Sequence, residues 1–208
     1  MARRSRSSER WLHEHFTDPF VRRAHEQGAR SRALFKLEQI DQREHLLRAG
    51  MVVLDLGAAP GAWSQYARRR VGASGKVFAS DILAMEPIEG VQFLQGDVRE
   101  QRVLEALRQL LGAARLDLLL SDMAPNLSGM DAIDAPRALH LAELALELTG
   151  ELLKPGGSAL IKVLQGAGFQ QLVAAARGRF ERVRFVKPAA SRSRSPETYL
   201  LASGRRMV

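Results

Sequence analysis

Met51-Val52-Val53-Leu54-Asp55-Leu56-Gly57-Ala58-Ala59-Pro60-Gly61-Ala62-Trp63 is the stretch that decides how this chain folds. It opens as a short apolar run ending in glycine, which reads as a strand buried on both faces. Glycine and proline then turn the chain, and residues 61–70 read as a helix.

The same alternation continues toward the C-terminus. Residues 76–80 read as a second strand ending at Asp81, and residues 91–94 as a third, followed by Asp97 and a helix over 100–111. Residues 116–120 form the most apolar strand and lead into Ser121-Asp122. A long helix over about 135–153 stops at Lys154-Pro155-Gly156-Gly157, a basic last turn followed by breakers. Residues 158–164 read as a buried strand, 169–177 as a helix, and 182–186 and 199–202 as closing strands around a polar loop, 188–197. Strands alternating with helices imply an α/β fold, a mostly parallel seven-stranded sheet covered on both faces. The last two strands have no helix between them, which predicts an antiparallel strand at one edge.

Toward the N-terminus, Ala33, Leu37 and Ile40 give residues 31–44 a helical stripe. Residues 1–29 are polar and basic, with Trp11, Phe16 and Phe20 scattered through them. The expected division is a basic arm over 1–29 and a Rossmann-like domain over 30–208.

A chain of 208 residues, 46% of them hydrophobic, suits one domain with a full core. Lys and Arg number 31 against 23 Asp and Glu, a net charge of +8 that points to a polyanionic partner. The absence of cysteine excludes disulfides, thiolate metal sites and cysteine nucleophiles. His13, His15, His25, His45 and His140 show no metal-binding spacing, so no metal is expected. No apolar run is long enough to span a bilayer, and the Arg- and Ser-rich start is soon followed by acidic residues, so a cytoplasmic location is expected.

In a doubly wound sheet, ligands bind beyond the carboxyl ends of the strands. The turn after the first strand is not Gly-x-Gly-x-x-Gly, so a dinucleotide has no obvious pyrophosphate cradle, which disfavours a nicotinamide dehydrogenase. It suits a ligand without phosphate, such as S-adenosylmethionine. Asp81 is placed to accept ribose hydroxyls, Asp97 could take the adenine amino group, and Trp63 offers an aromatic surface nearby. A single strand-terminal Asp is commonly only a cap or turn residue. Three in order behind one Gly-rich turn make a cofactor site. The expected cofactor set is Gly57, Pro60, Gly61, Trp63, Asp81, Ile82, Asp97, Val98 and Asp122.

Lys162 breaks an otherwise apolar strand near its ligand-bearing end. A buried ammonium is costly unless paired or neutral. A lysine reaching out to solvent at a strand end is the plainer reading. Asp122, ending the neighbouring strand, is the natural partner.

Residues 55–63, the Ser121–Asn126 segment, the Lys162 strand and the Ser-Arg-Ser-Arg-Ser-Pro-Glu-Thr-Tyr run of residues 191–199 together resemble the FtsJ-type ribosomal RNA ribose methyltransferases, and residues 30–37 resemble that family's N-terminal helix. The resemblance spans about residues 10–206 and implies a class I S-adenosylmethionine-dependent methyltransferase fold. It also implies a Lys-Asp-Lys-Glu tetrad, matched here by Lys36, Asp122, Lys162 and Glu197. Without it, Lys36 would read as a solvated helix residue and Glu197 as a loop carboxylate. The family commonly has a second glycine where Ala62 stands and a basic residue where Pro196 stands.

The implied activity is methylation of a uridine 2′-hydroxyl in large-subunit ribosomal RNA, in the assembled subunit, by a monomeric enzyme. Neutral Lys162 is the candidate base; alternatively it stays charged and steers the oxygen while water takes the proton. The rival readings are a transfer RNA ribose methyltransferase and a non-catalytic RNA-binding assembly factor. Arg3, Arg4, Arg6, Arg10, Arg22, Arg23, Arg30 and Arg32, with Arg192 and Arg194 in the late loop, are expected to contact phosphates.

Overall fold

In a computed structural model, which describes residues 18–126, 128–191 and 195–207, the opening apolar run forms β1 (Val52–Leu56) at the centre of one sheet. Trp11, Phe16, His13, His15, Arg3, Arg4, Arg6, Arg10, Arg192 and Arg194 lie outside the described residues. β1 pairs in parallel with β2 (Lys76–Asp81) on one side and β4 (Leu116–Ser121) on the other. β3 (Val91–Gln95) lies outside β2, and β5 (Leu153–Leu164) outside β4, again in parallel. β7 (Glu197–Arg205) is antiparallel to β5 and to β6 (Phe180–Val186), giving the order β3-β2-β1-β4-β5-β7-β6. The reversed strand is thus one in from the edge, and β6 forms the edge itself.

That reversal has a functional result. A parallel strand brings its end to the ligand-bearing side of the sheet, whereas β7 brings its beginning there. Glu197, the first residue of β7, lies opposite Leu164, the last of β5.

Side chains alternate across each strand, and two cores follow. Val53, Val77, Leu118, Leu120, Leu160 and Leu201 pack against α1 (Pro19–Glu26), α2 (Leu34–Glu44) and α3 (Ala62–Val71). Leu54, Leu56, Phe78, Leu119, Ile161 and Leu200 pack against α4 (Gln101–Leu111), α5 (Asp131–Leu152) and α6 (Phe169–Arg179).

β6 and β7 begin two residues earlier than expected and β7 runs on to Arg205, and three further stretches depart from the sequence reading. Lys154 to Gly157 do not interrupt the chain between helix and strand; they lie within β5. β5 joins the ladder at Leu153, opposite Leu116, and its next pair is Ser158 with Leu118, so these residues bulge out between two bonded positions. α5 begins at Asp131, ahead of Pro136, because the buried Asp134 carboxylate accepts the amides of Ser128 and Gly129 and the Ser128 hydroxyl, and so fixes the turn before the helix. Residues 19–26, read as part of a polar arm, form α1. Asp18 caps it by accepting from the Phe20 amide at 2.9 Å, and Pro19 occupies the first turn. Phe20 packs on Phe35, ring centroids 5.7 Å apart.

Candidate active site

Strand periodicity decides which side chains meet. Leu120 and Leu160 face α2 and α3, so Asp122 and Lys162, two residues further on, fall on that same side at the strand ends. On β7, Tyr199 and Glu197 share the face of Leu201. From the helix layer, α2 sinks Leu34, Phe35, Leu37 and Ile40 into the core and carries Lys36 over the same spot.

The four residues of the implied tetrad converge. Lys162 Nζ lies 2.8 Å from Asp122 Oδ1 and 3.7 Å from Glu197 Oε2, and it donates to the Asp122 carbonyl at 3.0 Å. Lys36 Nζ lies 2.7 Å from Glu197 Oε1. All four side chains are only 12 to 17% exposed, so the ammonium groups and carboxylates balance one another at the rim of the core. Lys162 therefore faces the two carboxylates, not open solvent.

Sequence reasoning missed two members of this cluster. Tyr199 is fully buried, and its hydroxyl donates to Asp122 Oδ1 at 2.8 Å and lies 3.2 Å from Glu197 Oε1. The signal was present: an aromatic hydroxyl two residues beyond Glu197 on an alternating strand must share its face. Ser191, in the loop before β7, donates its hydroxyl to Glu197 Oε1 at 2.9 Å, and no sequence pattern marks it.

Burial pushes the Glu197 carboxyl up, but the charges of Lys36 and Lys162 and hydrogen bonds from Lys36 and Ser191 outweigh it and hold the group below its usual value. Burial, then the carboxylates of Asp122 and Glu197, push the Tyr199 hydroxyl well up, so it remains a donor.

Beside this cluster lies the turn after β1. Gly57 and Gly61 have φ values of 74° and 104°, the left-handed region. A Cβ on Gly57 would lie 2.8 Å from the Met123 Cα and backbone nitrogen, so glycine is what allows the β1 and β4 ends to approach. The Asp122 amide donates to the Leu56 carbonyl at 3.1 Å, which places Asp122 against that turn. Asp81 accepts the amides of Ala59 and Leu83, each at 2.8 Å, and ties the turn to the end of β2 while leaving carboxylate lone pairs for hydroxyl donors. Pro60 is exposed on the turn, Ile82 is 54% exposed beside Asp81, and Val98 is buried beside Asp97.

Two expected contributions change. The Trp63 ring is not an open surface: it is buried, donates its indole N–H to the Ala33 carbonyl at 2.8 Å, and packs on Tyr199 at 5.5 Å. What Trp63 can offer a ligand is its backbone in the first turn of α3. Both Asp97 oxygens already receive Arg99, whose side chain holds that carboxyl below its usual value, so an adenine amino group would share Asp97 with it.

Among the described residues, two of the four arginines expected to contact phosphate are engaged within the protein. Arg22 and Arg23 are exposed on α1. Arg32, by contrast, pairs with Asp18 and donates to the Ala190 carbonyl, and Arg30 is spent on backbone carbonyls. Both arginines hold segments of the protein together.

One buried acid stands apart from the expected set. Asp55 is fully buried on β1 and pushed up to about 7, first by burial, while Ser64 donates to it at 2.6 Å and Asp122 and Asp81 add their charges.

Strand order, the glycine turn and the acidic strand ends define a Rossmann-like methyltransferase that uses S-adenosylmethionine. The model of the FtsJ-like methyltransferases matches residues 29–205, and the chain belongs to that family. It is 57% identical over 206 residues to the ribosomal RNA large subunit methyltransferase E of Xanthomonas campestris pv. campestris, covering 99% of this chain and 98% of the relative. The enzyme of the same description from Xanthomonas oryzae pv. oryzae is 56% identical over 207 residues, covering 100% and 99%. Among solved structures, a Plasmodium falciparum protein provisionally assigned as a ribosomal RNA methyltransferase is 27% identical with a TM-score of 0.75, covering 85% of this chain and 98% of that one. Human methyltransferase-like protein 13, solved with S-adenosylhomocysteine, shares the fold, with a TM-score of 0.53 and 13% identity over 83% of this chain and 81% of that one.

Proposed function

We propose that the protein methylates the 2′-hydroxyl of a uridine in the 23S RNA of the large ribosomal subunit, acting as a monomer on the assembled particle in the cytoplasm. The observation that carries this reading is the cluster of Lys162, Asp122, Glu197 and Lys36 beside the glycine turn after β1, which Asp81 ties to the end of β2. The naming of relatives at 57% identity as large-subunit methyltransferases supports the choice of RNA.

S-Adenosylmethionine supplies an electrophilic methyl group on a sulfonium and leaves as S-adenosylhomocysteine. Gly57, Pro60, Gly61, the Trp63 backbone, Asp81, Ile82, Asp97, Val98 and Asp122 would hold it. The remaining work is to orient a ribose hydroxyl and remove its proton. Lys162 gives one N–H to Asp122 Oδ1 and one to the Asp122 carbonyl. A neutral amine has two N–H groups and one lone pair. Once one ammonium proton of Lys162 has passed to water, Asp122 would occupy the two hydrogens that remain and leave the lone pair for the ribose proton. Glu197 fixes Lys36, whose ammonium would stabilise negative charge developing on an attacking oxygen held beside this cluster.

Residues 1–17, with the exposed Arg22 and Arg23 of α1, supply basic charge for phosphate contacts, and residues 18–208 the catalytic domain. The direct test incubates the protein and tritiated cofactor with large subunits, naked ribosomal RNA and transfer RNA from a strain lacking the enzyme. Label at one uridine ribose of the large subunit is expected. Label confined to transfer RNA would select the rival substrate, and none at all would indicate an assembly factor.

A further inference from the structure

The arginine that sequence would assign to RNA is instead built into the cofactor side of the cleft. We propose that Arg30 is a positioning residue that sets the two walls of the cofactor site, not a phosphate contact. The proposal deepens the reading that the turn after β1 holds S-adenosylmethionine, and rests on it.

Arg30 lies between α1 and α2, on the segment that leads into the basic arm. Its Nη1 donates to the carbonyls of Pro60 at 3.1 Å and Glu86 at 2.5 Å, and its Nη2 to the carbonyl of Pro87 at 2.7 Å. Pro60 belongs to the turn after β1. Glu86 and Pro87 belong to the loop after β2, which begins at Asp81. One guanidinium thus spans the two segments expected to enclose the cofactor.

The anchorage is double. The Arg30 amide donates to Gln65 Oε1 at 3.2 Å, and Gln65 Nε2 returns a bond to the Gly28 carbonyl at 3.0 Å, so residues 28–30 are fastened to α3. The packing converges on one glycine. A Cβ at Gly61 would lie 2.7 Å from Met85 Sδ, 2.8 Å from Ile88 Cδ1 and 3.2 Å from Arg30 Cδ. Backbone carbonyls are fixed acceptors, and a rigid fork can hold several at once where a lysine would hold one. A phosphate would have to compete for both Nη1 hydrogens and one of Nη2. Holding a loop in its binding geometry before the ligand arrives raises affinity without touching the reacting atoms.

The test compares wild type with Arg30→Lys and Arg30→Ala, measuring S-adenosylhomocysteine affinity without RNA, kcat and cofactor KM with saturating substrate, and RNA affinity against salt. Arg30→Ala is expected to weaken cofactor affinity about tenfold and raise KM in step, with kcat within about twofold of wild type. Arg30→Lys, which keeps the charge, should recover only part of that affinity. The salt slope of RNA binding should not change. A slope reduced by about one with cofactor affinity intact would make Arg30 a phosphate contact and overturn the proposal. Parallel loss of cofactor affinity, RNA affinity and melting temperature would also overturn it, in favour of a general folding role. Failure of wild type itself to bind S-adenosylhomocysteine would remove the cofactor reading underneath.

Discussion

Lys162 of β5 lies directly opposite Tyr199 of β7, and both side chains meet the same oxygen, Asp122 Oδ1, at 2.8 Å. The pairing follows from the reversed strand, because only an antiparallel β7 sets Tyr199 and Glu197 beside the last residues of β5. It makes Tyr199 a brace between the two carboxylates that hold the lysines.

Tyr199→Phe removes that brace but leaves no carboxylate without a partner, since Lys162, Lys36 and Ser191 remain. The variant should fold, with kcat reduced about tenfold, the worth of a hydrogen bond to a charged group. Single-turnover kinetics check this; an unchanged kcat would show that the lysines hold the carboxylates unaided.

Asp55 predicts how stability varies with pH. Its folded-state value is pushed up to about 7, against an unfolded value near ~3.9. Between those limits the unfolded chain binds fewer protons, so Asp55 lowers stability as pH rises, and its full cost is felt above about 7. Asp55→Asn keeps an acceptor for Ser64 and removes the titration. Thermal melts should show the variant gaining on wild type at pH ~8 and losing that advantage below pH ~4.

Gly57→Ala places a Cβ 2.8 Å from the Met123 backbone at a φ of 74°. Left-handed strain and overpacking together should cost about 3 kcal/mol. Calorimetry should find a melting temperature lower by several degrees and cofactor affinity reduced with it.

Truncation separates the arm from the fold. Deleting residues 1–17 should weaken RNA binding and leave cofactor affinity and melting temperature unchanged. Deleting 1–29 should also lower the melting temperature, because it removes Ala24 and Phe20 from the core and Asp18 from Arg32. Filter binding and melting curves distinguish the two, and equal effects of both deletions would contradict the division.

The sheet was legible because each buried strand is a short apolar run closed by glycine or aspartate. Lys162 was legible because a charge is anomalous within such a run, and Asp122 because it ends the neighbouring strand. Lys36 and Glu197 carry no such anomaly, and only resemblance singled them out. Tyr199 was hidden because an aromatic residue in a strand is ordinary core until the register is known. The helix at Pro19 was signalled by Asp18 and obscured by the basic composition around it. Arg30 and Arg32 looked like RNA contacts because composition reports charge and not the carbonyls a folded chain brings to it.

The claim at the centre of this account is that Lys162 handles the ribose proton. The most direct measurement is the pH dependence of kcat for wild type and Lys162→Arg on large ribosomal subunits. A loss of about 100-fold or more in the variant is expected, with the wild-type rise in rate on a basic limb removed. An arginine variant with full activity and an unchanged profile would contradict the claim.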